Sequence, residues 1–196
     1  MNSAELKKAK RDIRRRVLGA RDAIDPASRR HMGEAIAGSF LALPEVARAG
    51  AVMVFWSFGS EVPTAPILEG LVAAGTRVAL PRIERGDLEP HTWSPGDPMT
   101  PTAFGALEPE DGQVLRPGDI DVIVTPAVAF DRSGRRIGYG GGFYDRFFLE
   151  TRPDAARIGI GFSLQLRQEP LPGAAFDLRV HAIVTEDGVV RCESGG

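Results

Sequence analysis

The chain has a single cysteine, Cys192, so no internal disulfide can form, and a reducing compartment suits it. Its three histidines, His31, His91 and His181, stand far apart and share no metal-ligand spacing with one another or with Cys192, which argues against a zinc site. No apolar run approaches the ~20 residues that span a bilayer, and no signal-peptide core follows the basic start, so a cytoplasmic protein is expected. Neither sign of charge dominates. With 24 basic and 26 acidic residues the net charge is −2, so nucleic acid and membranes exert no overall attraction and any electrostatic site must be local. Internal repeats, low-complexity tracts and long linkers are also missing; the Pro- and Gly-rich stretch 94–119 reads as an extended surface excursion.

What is present fits one well-packed domain over residues 1–196, with 43% hydrophobic residues. Residues 3–24 read as a basic helix packed on that domain, with Leu6, Ile13, Val17 and Ala20 as its apolar stripe. At ~100° per residue, Lys10, Arg14 and Arg21 fall within ~40° of one another beside the stripe, whereas Lys8, Arg11 and Arg15 point away. A cation beside a buried stripe can lean into a cleft, which makes Lys10 and Arg14 candidates for holding an anion. A merely solvated basic helix is the plain alternative. A nucleic-acid arm is disfavoured because the segment has no aromatic residue to stack on bases.

Asp25-Pro26 starts a second helix, with Met32, Ala35, Ile36 and Phe40 as its buried face. The apolar run 51–56 predicts a strand covered on both faces. A helix over about 63–74 follows, with Ile67, Leu68, Leu71 and Val72 inward and Gly75 ending it. Trp56 and Glu61 then lie beyond a strand's carboxyl end, where open α/β sheets bind ligands. Further strands are expected at 76–80 (stopped by Pro81-Arg82), 88–93, 119–125, 156–161, 180–185 and 189–190, with a type I turn at Asp131–Gly134 and a helix at 142–150. The alternation implies an α/β, three-layer domain with a mainly parallel sheet flanked by helices.

Four glycines, Gly138, Gly140, Gly141 and Gly142, crowd into five residues before that last helix. Glycine loses much backbone entropy on ordering, so a phosphate held by bare N–H groups at a helix start is one reason for them, and a flexible surface loop is the other. The dinucleotide pattern Gly-x-Gly-x-x-Gly fails, since Phe143 stands where its third glycine belongs; a P-loop fails because no glycine here precedes a lysine. The residues alone leave an anion-binding turn with Arg135, Arg136 and Asp145 beside it.

Ala129-Phe130-Asp131, followed by Gly134, Arg136-Ile137-Gly138-Tyr139-Gly140-Gly141-Gly142 and Phe143-Tyr144-Asp145, resembles the signature of the 5-formyltetrahydrofolate cyclo-ligase family. The resemblance runs the length of the chain, through Lys10 and Arg14, Glu61-Val62 with Thr64, Pro81-Arg82, Phe104-Gly105, Glu108-Pro109 and Phe176-Asp177. It implies ATP- and magnesium-dependent closure of 5-formyltetrahydrofolate to 5,10-methenyltetrahydrofolate through phosphorylation of the formyl oxygen, in a monomer that uses a reduced folate and ATP. Phosphoryl transfer requires positioning and charge neutralisation more than a protein nucleophile, which suits these residues. The resemblance gives Lys10, Arg14 and Arg136 to phosphate, with Arg136 and Lys10 catalytic, and Gly138, Gly140, Gly141, Gly142 and Tyr144 to the nucleotide. It gives Trp56, Glu61, Tyr139 and Phe143 to the folate, and Asp145 with Asp177 to Mg2+. Four positions depart from the family pattern: Phe143 replaces the commoner tyrosine, Ala127-Val128 replace Gly-Leu, and His181 stands where an acid is frequent. A paralogue that binds nucleotide or folate without this turnover is the alternative.

Overall fold

The computed structural model describes residues 2–102, 105–173 and 178–192. Phe104, Phe176 and Asp177, three residues that carry the resemblance, lie outside them. Helix α1 (Ser3–Asp22) begins with a capping box in which Asn2 and Glu5 exchange side-chain-to-backbone bonds. Helix α2 (Pro26–Leu41) is capped by Asp25, whose Oδ1 accepts from the Ala27 and Ser28 N–H groups. A one-turn helix α3 (Pro44–Ala47) leads to strand β1 (Ala51–Met53), helix α4 (Ala65–Ala73) and strand β2 (Arg77–Glu84). Then come β3 (Asp87–Thr92), a small hairpin of β4 (Met99–Pro101) and β5 (Leu107–Pro109), and β6 (Val122–Thr125). The remainder is β7 (Ala129–Asp131), β8 (Arg136–Ile137), α5 (Phe143–Glu150), β9 (Ala156–Ile160), β10 (Leu166–Arg167), β11 (Ala182–Thr185) and β12 (Gly188–Arg191).

The central sheet has the order β12-β11-β9-β6-β1-β2-β3. Pairings from β11 through to β2 are parallel, and the two edge strands are antiparallel. Side chains alternate between two cores: Val52 and Val54 join the α2 and α4 residues Ile36, Phe40, Ile67 and Leu71, whereas Ala51 and Met53 join Phe147 and Phe148 of α5. Both sheet faces are therefore covered, as the continuous apolar run at 51–56 predicts. Among the described residues, no helix is long and apolar enough to cross a membrane.

Three groups of expectations need correction. Strand β2 does not stop at Pro81 but continues to Glu84. Pro81 pairs with Pro90, and the Pro90 carbonyl accepts from Leu115 on the side away from β2, so this pair places neither missing N–H in the ladder. Ala20, Ala35 and Val72 are exposed: on α1 the buried position passes to Arg21, on α2 Ala37 is buried beside Ile36 and Phe40, and on α4 the buried face is Ile67, Leu68 and Leu71. The 94–119 excursion carries the β4–β5 hairpin.

Strand β1 lies between β2, which follows it through α4, and β6, which comes later, so the strand order reverses at β1. The loops leaving β1 and β6 open a crevice there, the position where such sheets bind ligands. A second sheet, β10-β7-β8, projects from this end and carries the glycine stretch. Asp131 fixes its base: Oδ1 accepts from the Ser133 and Arg135 N–H groups and the Ser133 hydroxyl, and Oδ2 accepts from the Leu171 N–H at 2.7 Å.

Candidate functional site

Helix α1 docks through Ile13, Val17 and Leu18 against Val128, Ala129, Ile137 and Leu171. That docking separates its cations as the helical wheel predicts. Lys10 and Arg14 are half-buried and Arg21 is 3% exposed, while Lys8, Arg11 and Arg15 face solvent. Arg14 Nε donates to the Gly138 carbonyl at 2.7 Å, joining the basic helix to the glycine loop.

The next residue, Tyr139, faces the crevice. Its ring edge is exposed and lies 5.6 Å from Phe58, but its hydroxyl turns inward and donates to Glu61 Oε1 at 2.9 Å. The Phe58 N–H donates to the other carboxylate oxygen at 3.1 Å. Glu61 is 6% exposed, and burial holds its carboxyl above the usual carboxylate range despite these bonds and the Arg21 charge, which favour the ionised form. Burial, followed by the Glu61 charge, pushes the Tyr139 hydroxyl up to about 12. Arg21, Phe55, Glu61, Val62, Pro126, Ala127, Ile160 and Gln165 line a shallow depression with room for about one water. Trp56 packs edge-on to Trp93 at 5.8 Å on the adjoining core.

On the other side of the loop, Arg136 donates to the Leu178 carbonyl and to Asp145 Oδ1, both at 2.5 Å, and stacks 4.6 Å from the Phe148 ring centroid. The Arg136 side chain is 6% exposed and that of Asp145 is 55% exposed, so the acid reaches solvent from a buried arginine. Arg146 closes this side: it donates to the Gly141 and Gly86 carbonyls and to Asp87, and lies over the Phe143 ring at 5.2 Å. The Tyr144 hydroxyl is buried without a hydrogen-bond partner among the described residues, and burial raises its pKa strongly.

The four glycines answer different needs. Gly140 and Gly142 hold positive φ angles of 116° and 68°, which side-chain-bearing residues rarely adopt. A Cβ on Gly141 would come within 2.4 Å of the Phe143 ring, and one on Gly138 would meet nothing within 4 Å. Chain geometry thus explains three of them, and Gly138 alone of the four has room for a side chain without a contact. Gly142 precedes α5, whose first-turn N–H groups have no partner within the helix, as at any helix start.

The structure therefore brings Arg14 to Gly138, Tyr139 to Glu61 and Arg136 to Asp145. Asp177 lies outside the described residues; among those described, no group of three or more His, Cys, Asp and Glu residues could hold a metal. The departures are absorbed locally. The Ala127 and Val128 carbonyls accept from Gln165 Nε2, and His181 Nδ1 accepts the Arg157 N–H at 3.2 Å. The sequence places Arg21 beside Lys10 and Arg14 without marking it as a candidate, and it gives no sign of the roles of Trp93 and Arg146. Arg21 had a signal, since it stands four residues after Val17 and so continues the apolar stripe with a cation.

Comparison with known proteins gives one consistent picture. The sequence model of the 5-formyltetrahydrofolate cyclo-ligase family matches residues 6–186. A 5-formyltetrahydrofolate cyclo-ligase of Escherichia coli (strain K12) is 35% identical over 179 residues, covering 86% of this chain and 96% of its own. That of Mycolicibacterium smegmatis is 32% identical over 192 residues, covering 93% and 97%. The NMR structure of Aquifex aeolicus 5,10-methenyltetrahydrofolate synthetase superposes with a TM-score of 0.84 at 31% identity, over 95% of this chain and 94% of that one.

Proposed function

The chain belongs to the 5-formyltetrahydrofolate cyclo-ligase family, and from that premise we propose that it converts 5-formyltetrahydrofolate and ATP to 5,10-methenyltetrahydrofolate, ADP and phosphate. The γ-phosphoryl group passes to the formyl oxygen, turning a poor leaving group into phosphate. The second folate nitrogen attacks the formyl carbon and loses its proton, and the C–O bond breaks as phosphate departs. The observation that carries this reading is the fork at Gly138-Tyr139. One residue is tied to the cationic face of α1 and the next to a buried carboxylate, so one loop lies between an anion-binding and a hydrogen-bonding surface.

In this reading Lys10, Arg14 and Arg136 neutralise phosphate, with Lys10 and Arg136 at the reacting group, and the backbone from Gly138 to Tyr144 frames the nucleotide. Glu61 accepts N–H bonds from the pterin ring, with Trp56, Tyr139 and Phe143 as walls. The half-exposed Asp145 carboxylate offers the hard oxygen donor that Mg2+ prefers, and one or two carboxylates suffice when phosphate oxygens and water complete the shell. Asp145, with Asp177, would hold the ion, which supplies charge neutralisation on the phosphates. The proposal also takes the chain to be one domain with α1 packed on it, acting as a cytoplasmic monomer on these two small molecules. Purified protein with 5-formyltetrahydrofolate, ATP and magnesium should develop the near-ultraviolet absorbance of the methenyl product with one ADP per turnover. No absorbance change with ATP left intact would refute the reading, and binding without turnover would favour the non-catalytic paralogue.

A further inference from the structure

We propose that Arg21 is a positioning residue for the folate, fixing the Tyr139 hydroxyl as a donor to Glu61 and so presetting the Glu61 carboxylate as an acceptor for substrate N–H groups. This inference rests on the folate reading of the crevice. A guanidinium can only donate. Arg21 Nη2 donates to the Tyr139 oxygen at 2.9 Å, which leaves the single phenolic hydrogen for Glu61 Oε1. Arg21 Nε donates to Ser60 Oγ at 3.0 Å, and the Ser60 hydroxyl in turn donates to Asp22. One buried cation thus directs two hydroxyls, each toward a carboxylate. With Phe58 N–H on Oε2 and Tyr139 on Oε1, each Glu61 oxygen already holds one donor and keeps acceptor capacity toward the pocket, a pattern that suits a pair of N–H donors on a ring edge.

The charged and titratable groups around Glu61 come from every neighbouring element: Arg21 and, beyond Ser60, Asp22 from α1, Tyr139 from the glycine loop, and from α5 Tyr144, whose buried hydroxyl senses the Glu61 charge. Arg21 is the cation whose charge favours the ionised form of Glu61. Without it the Tyr139 hydroxyl can rotate away, and the buried carboxyl takes up a proton at higher pH. Glu61 then presents an O–H where the substrate presents N–H. The hydrogen bonds of Arg21 run to Tyr139 and Ser60, on the Glu61 side of the loop, so its loss should fall first on the folate.

The test compares Arg21→Met, which keeps length and packing, with Arg21→Lys and Tyr139→Phe. Arg21→Met is expected to raise the KM for 5-formyltetrahydrofolate by roughly 10- to 100-fold, the usual range for losing a hydrogen bond to a charged group, with the ATP KM unchanged. The acid limb of kcat/KM for folate should move to higher pH, and Arg21→Lys should recover part of both effects. Tyr139→Phe should reproduce the loss, and the double variant should be no worse than either single one. Folate and ATP KM rising together, an unmoved acid limb, or additive losses would each overturn the proposal. A carboxyl NMR titration of Glu61 needs no turnover and separates this inference from the catalytic reading. Its midpoint must rise in Arg21→Met even if the wild-type protein makes no methenyl product, and an unchanged midpoint overturns the role of Arg21. Should Arg21→Met not fold, the same titration in Arg21→Lys and Tyr139→Phe decides it, with unchanged midpoints in both counting against the proposal.

Discussion

The glycine loop has a buried side and an open side, and arginines serve them in opposite ways. On the buried side Arg21, 3% exposed, acts through two hydroxyls and touches no carboxylate directly among the described residues. On the open side Arg136 and Arg146 meet Asp145 and Asp87 head-on, with the acids 55% and 66% exposed. Charge in a low-dielectric setting is strong but costly to rearrange, whereas ion pairs that reach the surface exchange partners more readily. Under the proposed function, the buried side would hold one acceptor geometry for a ring edge, and the open side, where the acids reach solvent, would accept an ionic ligand.

The largest effect should come from the open side. Arg136→Ala is predicted to lower turnover by roughly 10²- to 10³-fold, the range for removing one preorganised donor to a charged transition state, with an unaltered circular dichroism spectrum. Near-normal turnover would remove Arg136 from the phosphate site and erase the contrast.

On the buried side, Glu61→Gln should raise the folate KM by about one to two orders of magnitude and leave the ATP KM alone. It should also change the pH dependence of stability. Burial raises the Glu61 carboxyl pKa on folding, so the native state binds the proton more tightly. Stability from this group is then fully present below the ordinary carboxylate pKa and is lost as pH rises through the higher folded value. Thermal melts of Glu61→Gln between pH 4 and pH 8 should lack that decline, and an identical profile in both proteins would contradict the burial account.

Two glycine substitutions sharpen the comparison further. Gly141→Ala should destabilise by about 1–3 kcal/mol, since its Cβ would meet the Phe143 ring and the ring is already held by Arg146. Gly138→Ala should leave the melting temperature nearly unchanged yet raise the ATP KM, because its Cβ would enter the open space assigned to the nucleotide. The smallest effect belongs to Asp87→Asn: the exposed Arg146 pair should be worth about 0.2–1 kcal/mol and vanish in high salt.

Much of the scaffold was legible in the sequence because its signals are local. The Asp25-Pro26 helix start and the Asp131–Gly134 turn rest on residues near in sequence and are found in the structure, and the apolar run at 51–56 yields a buried strand, though only over Ala51–Met53. Pro81 misled because its tolerance depends on a partner proline across a ladder. Ala20 was taken into the stripe, and Arg21 left to its border, because a cation on an apolar face is explained only by Ser60 and Tyr139, 39 and 118 residues away. The glycines suggest ligand chemistry in the sequence, but the positive φ of Gly140 and Gly142 and the Phe143 ring against Gly141 depend on the folded chain. The resemblance named the site residues but not the hydrogen-bond directions that separate its two sides.

The central claim is that one loop serves two substrates from opposite sides, and amide NMR titration tests it most directly. Adding 5-formyltetrahydrofolate alone should shift Phe58, Glu61 and Tyr139, and adding a non-hydrolysable ATP analogue with magnesium should shift Gly140 to Asp145. Both ligands moving the same amides, or the nucleotide leaving Gly140 to Asp145 unmoved, would contradict the account.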